Sequence, residues 1–465
     1  MKYTHDALVI GLGPAGMAVS VMGASMGLKV CAVEKAHIGG ECMNVGCIPS
    51  KALLRMAKRR HIVQELLPEG TDMPPLASPF ERIAAHLAHI AEHKTRGMLD
   101  KVEVLLGQGA ARFISPHEIQ VGTRRLSGKR IFICTGTRPA VPDVPGLRDV
   151  QPLTNENLFQ LTSVPRSLLV LGSGAIACEM AQAFARLGSR VSMVFRGKGL
   201  LWREERAVGA TLEKCFEAEG ITLVRNAAMQ HFAKDDAGIS LHLADGRILT
   251  AEKILCALGR SFEPEEMDLA AAGVDFHARG IVVDRFLRTS QRHIFACGDV
   301  NGERQFSHAA MHQGMLALMN CFLPFPFKRD FRRYPVPWTI FTEPQISRVG
   351  ATTAMLEKAG TAHEVVEARY ADYGAAIAEE IDTGFVQAAV SKWGNVLGVT
   401  IVGEGSGEMI NQWATVMQNR LSLVRLLMQQ HSFPTMGFLS KRIAEIWLMG
   451  KMRSNLVRNI CRKLF

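Results

Sequence analysis

No apolar run in the sequence approaches the roughly 18 residues that a membrane-crossing helix needs, so a helical transmembrane class is excluded. The opening stretch, MKYTHDALVIGLGPAG, passes from a polar start directly into a strand and a glycine turn. It has no room for the long apolar region and cleavage site of a secretory signal, and a cytoplasmic location is expected. Blocks of like charge are missing from the first 440 residues, and no RNA- or DNA-binding motif is present. The net charge of +10 is therefore assigned to cofactor phosphates and a basic tail, with no nucleic-acid partner. Cysteine is too thinly spread for a disulfide scaffold: 10 in 465 residues, in a chain expected to meet a reducing compartment, read mostly as small buried hydrophobes.

What is present is a chain too long for one core, with 48% apolar and 21% charged residues, the values of a multidomain globular protein. Residues 6–10, DALVI, precede GLGPAG, a helical stretch ending at Gly27, and a second strand, KVCAVEK. In that order GxGxxG has a physical meaning. Gly11 permits the tight turn, Gly13 lets backbone approach a pyrophosphate, Gly16 lets helix and strand pack closely, and the helix amides hold the phosphate. Glu34 closes the second strand where a ribose hydroxyl is bound.

The pattern returns in SLLVLGSGAIACEMAQAFARLGSRVSMVFRG, residues 167–197, with Gly172 and Gly174 in place and Ala177 at the third glycine position. Two such units imply two dinucleotides. At the end of the second strand an acid would repel a 2′-phosphate. The chain has Phe195 then Arg196 there, with Lys198 and Arg203 nearby, which predicts NADPH, with NADH as the alternative. A third segment, RTSQRHIFACGDV, ends in Gly298 and Asp299, and an acid beside a glycine at a strand's carboxyl end suits a sugar-alcohol hydroxyl of a flavin.

Two cysteines, Cys42 and Cys47, stand in GGECMNVGCIPSK, residues 39–51. A zinc site would need two further spaced ligands, and His37 and His61 form no such pair. A structural disulfide would close too small a loop to contribute much and would meet reducing thiols. The third reading is redox: the stretch after the first glycine turn is where a flavin ring would extend, and a cysteine pair there could accept two electrons as its disulfide and then present an outer thiolate to substrate. Lys51, leading into the helix ALLRMAKRRHIV that follows, would stabilise negative charge on flavin and sulfur alike.

GGECMNVGCIPSK closely resembles the redox-active motif of the flavoprotein disulfide reductases, the glutathione reductase, dihydrolipoamide dehydrogenase and mercuric reductase group. Both nucleotide motifs, IFICTGTRP at 131–139, FACGDV, and WTIFTEPQISRVG follow in the order of that family. AQAFARLGS and REERAVG are most similar to mercuric reductase. The resemblance implies an α/β fold with two Rossmann-like domains, one for FAD and one for NAD(P), plus a carboxy-terminal α+β dimerisation domain, assembled as a homodimer. The expected divisions are 1–154 (FAD), 155–280 (NAD(P)H), 281–345 (FAD again), 346–450 (dimerisation) and 451–465 (tail).

It further implies Cys42 as the interchange cysteine, Cys47 as the flavin-side cysteine, and Lys51 paired with Glu179 as a catalytic set. For the two nucleotides the implied positions are Gly11, Gly13, Pro14, Ala15, Gly16, Glu34, Lys35, Gly40, Lys51, Ala110, Thr135, Gly136, Gly172, Gly174, Ala177, Glu179, Arg196, Arg203, Gly259, Gly298 and Asp299. No resident metal is implied.

Thiol-directed members of that family carry a carboxy-terminal histidine and glutamate that manage protons. Here HSFPTMGFLSK, residues 431–441, aligned on Pro434 and Thr435, places Phe433 and Phe438 in those positions. His431 lies two residues upstream, either as a substitute base or as a structural turn histidine. Mercuric reductases also lack the histidine but end in a vicinal cysteine pair, whereas this chain ends NICRKLF with Cys461 alone. The expected activity is NADPH oxidation with electrons passed through Cys42 and Cys47 to a soft metal ion, a quinone or an unidentified disulfide. A dihydrolipoamide or glutathione-type reductase, and a redox sensor or scaffold without turnover, are the alternatives. Residues 451–465 show Met452, Leu456, Val457, Ile460, Cys461, Leu464 and Phe465 at helical spacing among arginines and a lysine. Such a helix either lies on the anionic inner face of a membrane or packs on the dimer. Tyr370 and Tyr373 line a substrate path or belong to the core.

Overall fold

A computed structural model describes residues 3–464 except 69, 70, 72, 75–77 and 237, without the side chains of 94, 96, 456, 457 and 460. By its internal contacts the chain divides into two compact units. The first is Met1–Gly172, Ala183–Val191 and Ala228–Arg332; the second is Ser173–Gln182, Ser192–Ala227 and Arg333–Phe465.

The first unit is organised on a sheet whose path starts at Glu103–Leu106, continues through Val30–Glu34, His5–Ile10 and Arg124–Ile133, and ends in two antiparallel strands. Ile294–Ala296 pairs parallel with Arg124–Ile133 on its other side. The central strands are almost wholly buried (Leu8, Val9, Cys31, Ala32, Ile131 and Phe132 are all at 0% exposure), which explains why they read as continuous apolar runs with no alternation. Val30–Glu34 and His5–Ile10 run parallel, so their carboxyl ends open on one edge, the location where α/β sheets bind ligands. Helices Pro14–Ser25 and Ser307–Phe322 pack together. A side chain at Gly314 would begin 2.4 Å from the Ala15 carbonyl oxygen, so the close approach needs glycine there. Two further strand sets complete the unit: Ser167–Leu171 paired parallel with Lys253–Cys256, and an antiparallel meander of Met229–Asp235, Gly238–Leu243 and Ile248–Ala251.

In the second unit Thr222–Val224 pairs parallel with Arg190–Val194. The remainder is a five-stranded antiparallel sheet, in order Trp338–Ile340, Ile346–Gly350, Val396–Val402, Phe385–Val390 and Glu364–Arg369. Helices Ser406–Gln418 and Phe438–Met452 contribute to a core centred on Trp413, Tyr370 and Ile443. The sheet agrees with the expectation for the carboxy-terminal domain. ADYG, residues 371–374, reads in the sequence as a glycine turn between strands, but Tyr370–Asp372 is a 3-10 turn that leads into helix Gly374–Ala378. Tyr370 is fully buried and donates to the Glu404 carbonyl at 2.8 Å, which makes it a core residue.

Two further elements differ from what the sequence suggests. The long helix after the cysteines begins at Cys47 and not beyond Lys51, because Pro49 in its first turn gives up an N–H that has no helical partner anyway. The helix expected over 81–99 is broken: Pro79–Ile90 is followed by a π-helical segment, Ala91–Thr95, and a short helix, Arg96–Met98. The proline-rich stretch 66–79 falls partly outside the described residues. Among the described residues no helix is long and apolar enough to cross a membrane. The tail forms helix Asn455–Leu464; Phe465 and the side chains of Leu456, Val457 and Ile460 lie outside the description.

Candidate functional site

The first glycine turn has the form a dinucleotide pyrophosphate needs. Gly11 sits at φ +93, and a side chain on it would begin 2.6 Å from the Cys134 carbonyl oxygen. On Gly16 it would begin 1.8 Å from the Gly11 carbonyl oxygen, so strand and helix can be this close only without side chains. A side chain on Gly13, by contrast, would meet no heavy atom within 4 Å, and Gly13 immediately precedes the 12-residue helix Pro14–Ser25. Open space at a helix amino terminus is where an anion is held. Glu34 is buried and accepts from the Leu12 and Ala36 amides at 2.8 and 2.9 Å, which fixes its carboxylate at the strand end. Gly40 (φ +57) lies against Gly13, and Lys35 pairs with Glu266. Thr135 and Gly136 follow strand Arg124–Ile133, and Ala110 is exposed beyond Glu103–Leu106.

Gly298 and Asp299 are positioned from the opposite side. Gln313, on helix Ser307–Phe322, accepts from the Gly298 amide and the Asn301 side chain, both at 2.8 Å. Asp299 is raised to about 6, first by burial, with Arg260 acting in the other direction and Glu41 adding to the rise. Arg260 is the centre of a polar group that sequence reading missed. It pairs with Glu41 at 2.6 Å and donates to the Thr137 hydroxyl at 3.0 Å, while Asn155 donates to Glu41 at 3.3 Å. Glu41 lies beside Cys42, so this network ties the redox loop to Asp299. Its partners are distant in sequence and carry no spacing signal. The cradle fits a flavin dinucleotide: an open phosphate side at Gly13 and carboxylates at Glu34 and Asp299.

Cys42 and Cys47 come together. Cys42 lies in the short helix Gly40–Asn44 and Cys47 opens the 20-residue helix Cys47–Leu66. Gly46 makes the close turn possible, since a side chain there would begin 2.8 Å from the Glu41 carbonyl oxygen. Both are thiols, hydrogen-bonded to one another, and the bond to Cys47 together with burial pushes the Cys42 thiol well above its ordinary value. Cys47 sits at the positive end of a long helix, where sulfur carries charge more readily. Ser307 is a second missed contributor. Its hydroxyl is 3.3 Å from the Cys47 sulfur at the start of its own helix. Lys51 stands one turn into the Cys47 helix, half-buried.

In the second unit, Glu179 is buried on helix Ala175–Arg186 and accepts from the Phe341 amide at 2.9 Å. Lys51 and Glu179 belong to different units. Gly174 has the same open side as Gly13, Gly172 is at φ +125, and Ala177 is fully buried. Arg196 is exposed just beyond Arg190–Val194, and Arg203 is exposed with its guanidinium 4.8 Å from the Trp202 ring centroid. Gly259 in the first unit is at φ +128 with open space around it.

The carboxy-terminal segment has aromatic rings where an acid–base dyad was sought. Phe433 is 69% exposed and meets Phe438 edge-on at 5.4 Å, while Phe438 stacks on Tyr373 at 6.0 Å. Tyr373 donates to the Thr435 carbonyl at 2.9 Å. His431 has both ring nitrogens engaged, one with the Gln429 carbonyl oxygen at 3.2 Å and the other with the Gln412 amide nitrogen at 2.9 Å. That arrangement agrees with a structural histidine.

Two open-sided glycine turns, a thiol pair and an antiparallel carboxy-terminal domain together define a two-nucleotide dithiol oxidoreductase. The chain belongs to the pyridine nucleotide-disulphide oxidoreductase family, which matches residues 5–314, with the dimerisation domain of that family over 336–441. It is 32% identical to a mercuric reductase of Acidithiobacillus ferrooxidans over 92% of this chain and 80% of that one. It is 31% identical to a dihydrolipoyl dehydrogenase of Thermus scotoductus over 93% and 95%. Among solved structures, the Cu(II) complex of the HOCl-induced flavoprotein disulfide reductase RclA of Escherichia coli superposes with a TM-score of 0.85 at 27% identity, over 96% of this chain and 99% of that one. The chain is thus an FAD- and NAD(P)H-dependent flavoprotein oxidoreductase with a dimerisation domain, as the motifs implied.

Proposed function

We propose that this enzyme oxidises NADPH and delivers the electrons through Cys42 and Cys47 to a soft metal ion as a homodimer. The observation that carries the reading is the pair of adjacent thiols, Cys42 on a short helix and Cys47 at the amino terminus of a long one, with phenylalanines at 433 and 438 in place of a proton-managing dyad. Bound FAD supplies the two-electron relay between nicotinamide and sulfur. FAD would be held at Gly11–Gly16, Glu34 and Asp299, and Lys51 would steady negative charge on it and on sulfur. Two electrons per NADPH match one two-electron or two one-electron metal reductions, and neither requires a base to deprotonate a dithiol. Mercuric reductase relatives and a relative solved with Cu(II) support the metal class. A quinone is the second reading, favoured by the exposed Phe433 beside Phe438 and Tyr373. Screening NADPH oxidation against Hg(II), Cu(II), quinones, lipoamide and glutathione disulfide separates these. Metal-dependent turnover that disappears in Cys42→Ser supports the proposal, and fast disulfide turnover rejects it.

For the nicotinamide nucleotide, Arg196 and Arg203 are assigned to the 2′-phosphate. A charge-assisted phosphate contact contributes about 1.5–3 kcal/mol. Arg196→Glu should therefore raise KM for NADPH roughly 10- to 100-fold with NADH little changed, measured by steady-state kinetics with both nucleotides. Equal effects on the two would remove the assignment.

The basic helix at 455–464 is proposed to lie on anionic lipid. Full-length protein should pellet with anionic liposomes and chain ended after Gly450 should not. Equal recovery of both in the supernatant contradicts the proposal.

A further inference from the structure

We infer that His5, Cys31 and Glu103 form a binding site for a zinc-class divalent cation, separate from the redox thiols. The three residues sit on neighbouring parallel strands of the first unit. Their ligand atoms, the His5 Nε2, the Cys31 Sγ and a Glu103 carboxylate oxygen, all lie within 4.8 Å of one another. Tetrahedral zinc with bonds of about 2.0–2.3 Å places its ligand atoms about 3.2–3.7 Å apart. The His5 Nε2 to Glu103 Oε2 distance is 2.9 Å and the other separations are at most 4.8 Å, so side-chain shifts of up to about 1 Å would admit the ion.

The hydrogen-bond inventory around His5 points to a cation. Thr4 Oγ1 is 2.8 Å from the Ser127 carbonyl oxygen, which can only accept, so the one hydroxyl proton of Thr4 is used there. The 2.9 Å contact between Thr4 Oγ1 and His5 Nδ1 must then have Nδ1–H as the donor. Nδ1 therefore carries a proton, and Nε2 is turned toward Glu103, whose carboxylate only accepts. Arg124 donates to Glu103 at 2.7 Å and, with His5, holds its carboxyl below the usual range, so Glu103 is ionised. Two electron-rich atoms at 2.9 Å need a positive centre between them. That centre is either a proton, giving a buried imidazolium, or a metal ion. An imidazole that donates Nδ1–H to a neighbouring oxygen while Nε2 points at other ligands is the form in which histidine binds metals.

The third ligand weighs toward the metal. Cys31 is wholly buried, its thiol has no hydrogen-bond partner among the described residues, and it faces the same point as His5 and Glu103. Thiolate and imidazole together select zinc-class ions over magnesium or calcium, and the half-exposed Glu103 leaves a path for entry and a fourth, water position. The site is at the amino ends of strands whose carboxyl ends carry Gly11 and Glu34, roughly 15 Å away at 3.3 Å per residue. A bound ion would clip three strands of the nucleotide-binding sheet together without entering the electron path.

Binding displaces the Cys31 proton and any proton on His5 Nε2, so affinity rises with pH, while Arg124 and Lys29, the cations facing the cluster, oppose the ion. The test is equilibrium dialysis of the FAD-loaded Cys42→Ser/Cys47→Ser protein against Zn2+, with metal counted per protomer. One zinc per protomer should be lost on going from about pH 7.5 to about pH 5.5, and lost at pH 7.5 in Cys31→Ala and in His5→Gln. Cys31→Ser, of nearly unchanged volume, and the surface-accessible Glu103→Gln should lower affinity at least tenfold, and both guard against a folding defect in Cys31→Ala. FAD content reports folding in each case. Zinc retained unchanged in Cys31→Ala and Glu103→Gln, or no zinc bound at pH 7.5, would show that His5 and Glu103 form an imidazolium ion pair and nothing more.

Discussion

Replacing Cys42 with serine is expected to lower NADPH-driven metal reduction by about 10³-fold or more, with FAD still bound. The nucleophile of a covalent or ligand-transfer step has no substitute once its sulfur is gone, and effects of this kind on a reacting atom commonly reach several powers of ten. FAD binding should persist, because the cradle at Gly13, Glu34 and Asp299 does not include the Cys42 side chain. Steady-state assays with the preferred acceptor, normalised to FAD content, make the measurement. Loss of less than tenfold would mean that electrons leave by another route.

The second large effect concerns protons. Dithiol substrates should turn over poorly in the natural chain, because positions 433 and 438 hold phenylalanines and His431 is held by Gln412 and Gln429. General acid–base catalysis contributes about 10²–10⁴-fold. Phe433→His with Phe438→Glu should therefore raise dihydrolipoamide oxidation toward about 10²-fold above the starting level, provided the pair adopts the geometry used by thiol-directed members. Phe433→His alone should gain less, since the imidazole would have no carboxylate to orient it. Both substitutions fall on partly or largely exposed residues, so the fold should tolerate them. An unchanged rate in the double variant, with the dimer intact, would place the barrier elsewhere.

Much of this was legible because the motifs are local. A strand, a glycine turn and a helix in succession fix where Gly11, Gly13 and Gly16 must lie: a side chain on Gly11 or Gly16 would clash, and one on Gly13 would meet open space. The cysteine pair was legible for the same reason, five residues apart on a turn that Gly46 closes. What could not be read is non-local. Arg260 reaches Glu41 and Thr137, and Ser307 reaches Cys47, only after the chain has folded back across the sheet. His5, Cys31 and Glu103 look like unrelated residues until parallel pairing sets their strands side by side. The start of the helix at Cys47 was missed because Pro49 reads as a breaker, although in a first turn it is tolerated. That one-turn difference matters chemically, since it places the Cys47 sulfur at the helix amino terminus.

The central claim is that electrons from NADPH arrive on a thiol pair in which Cys47 carries the negative charge beside the flavin. Anaerobic titration of the enzyme with NADPH, followed by absorption spectroscopy, tests it most directly. The account predicts a long-wavelength charge-transfer band after two electrons in the natural enzyme, a band present already before reduction in Cys42→Ser, which cannot form the disulfide, and no such band in Cys47→Ser. Simple bleaching of the flavin in the natural enzyme, or a band that persists without Cys47, would contradict it.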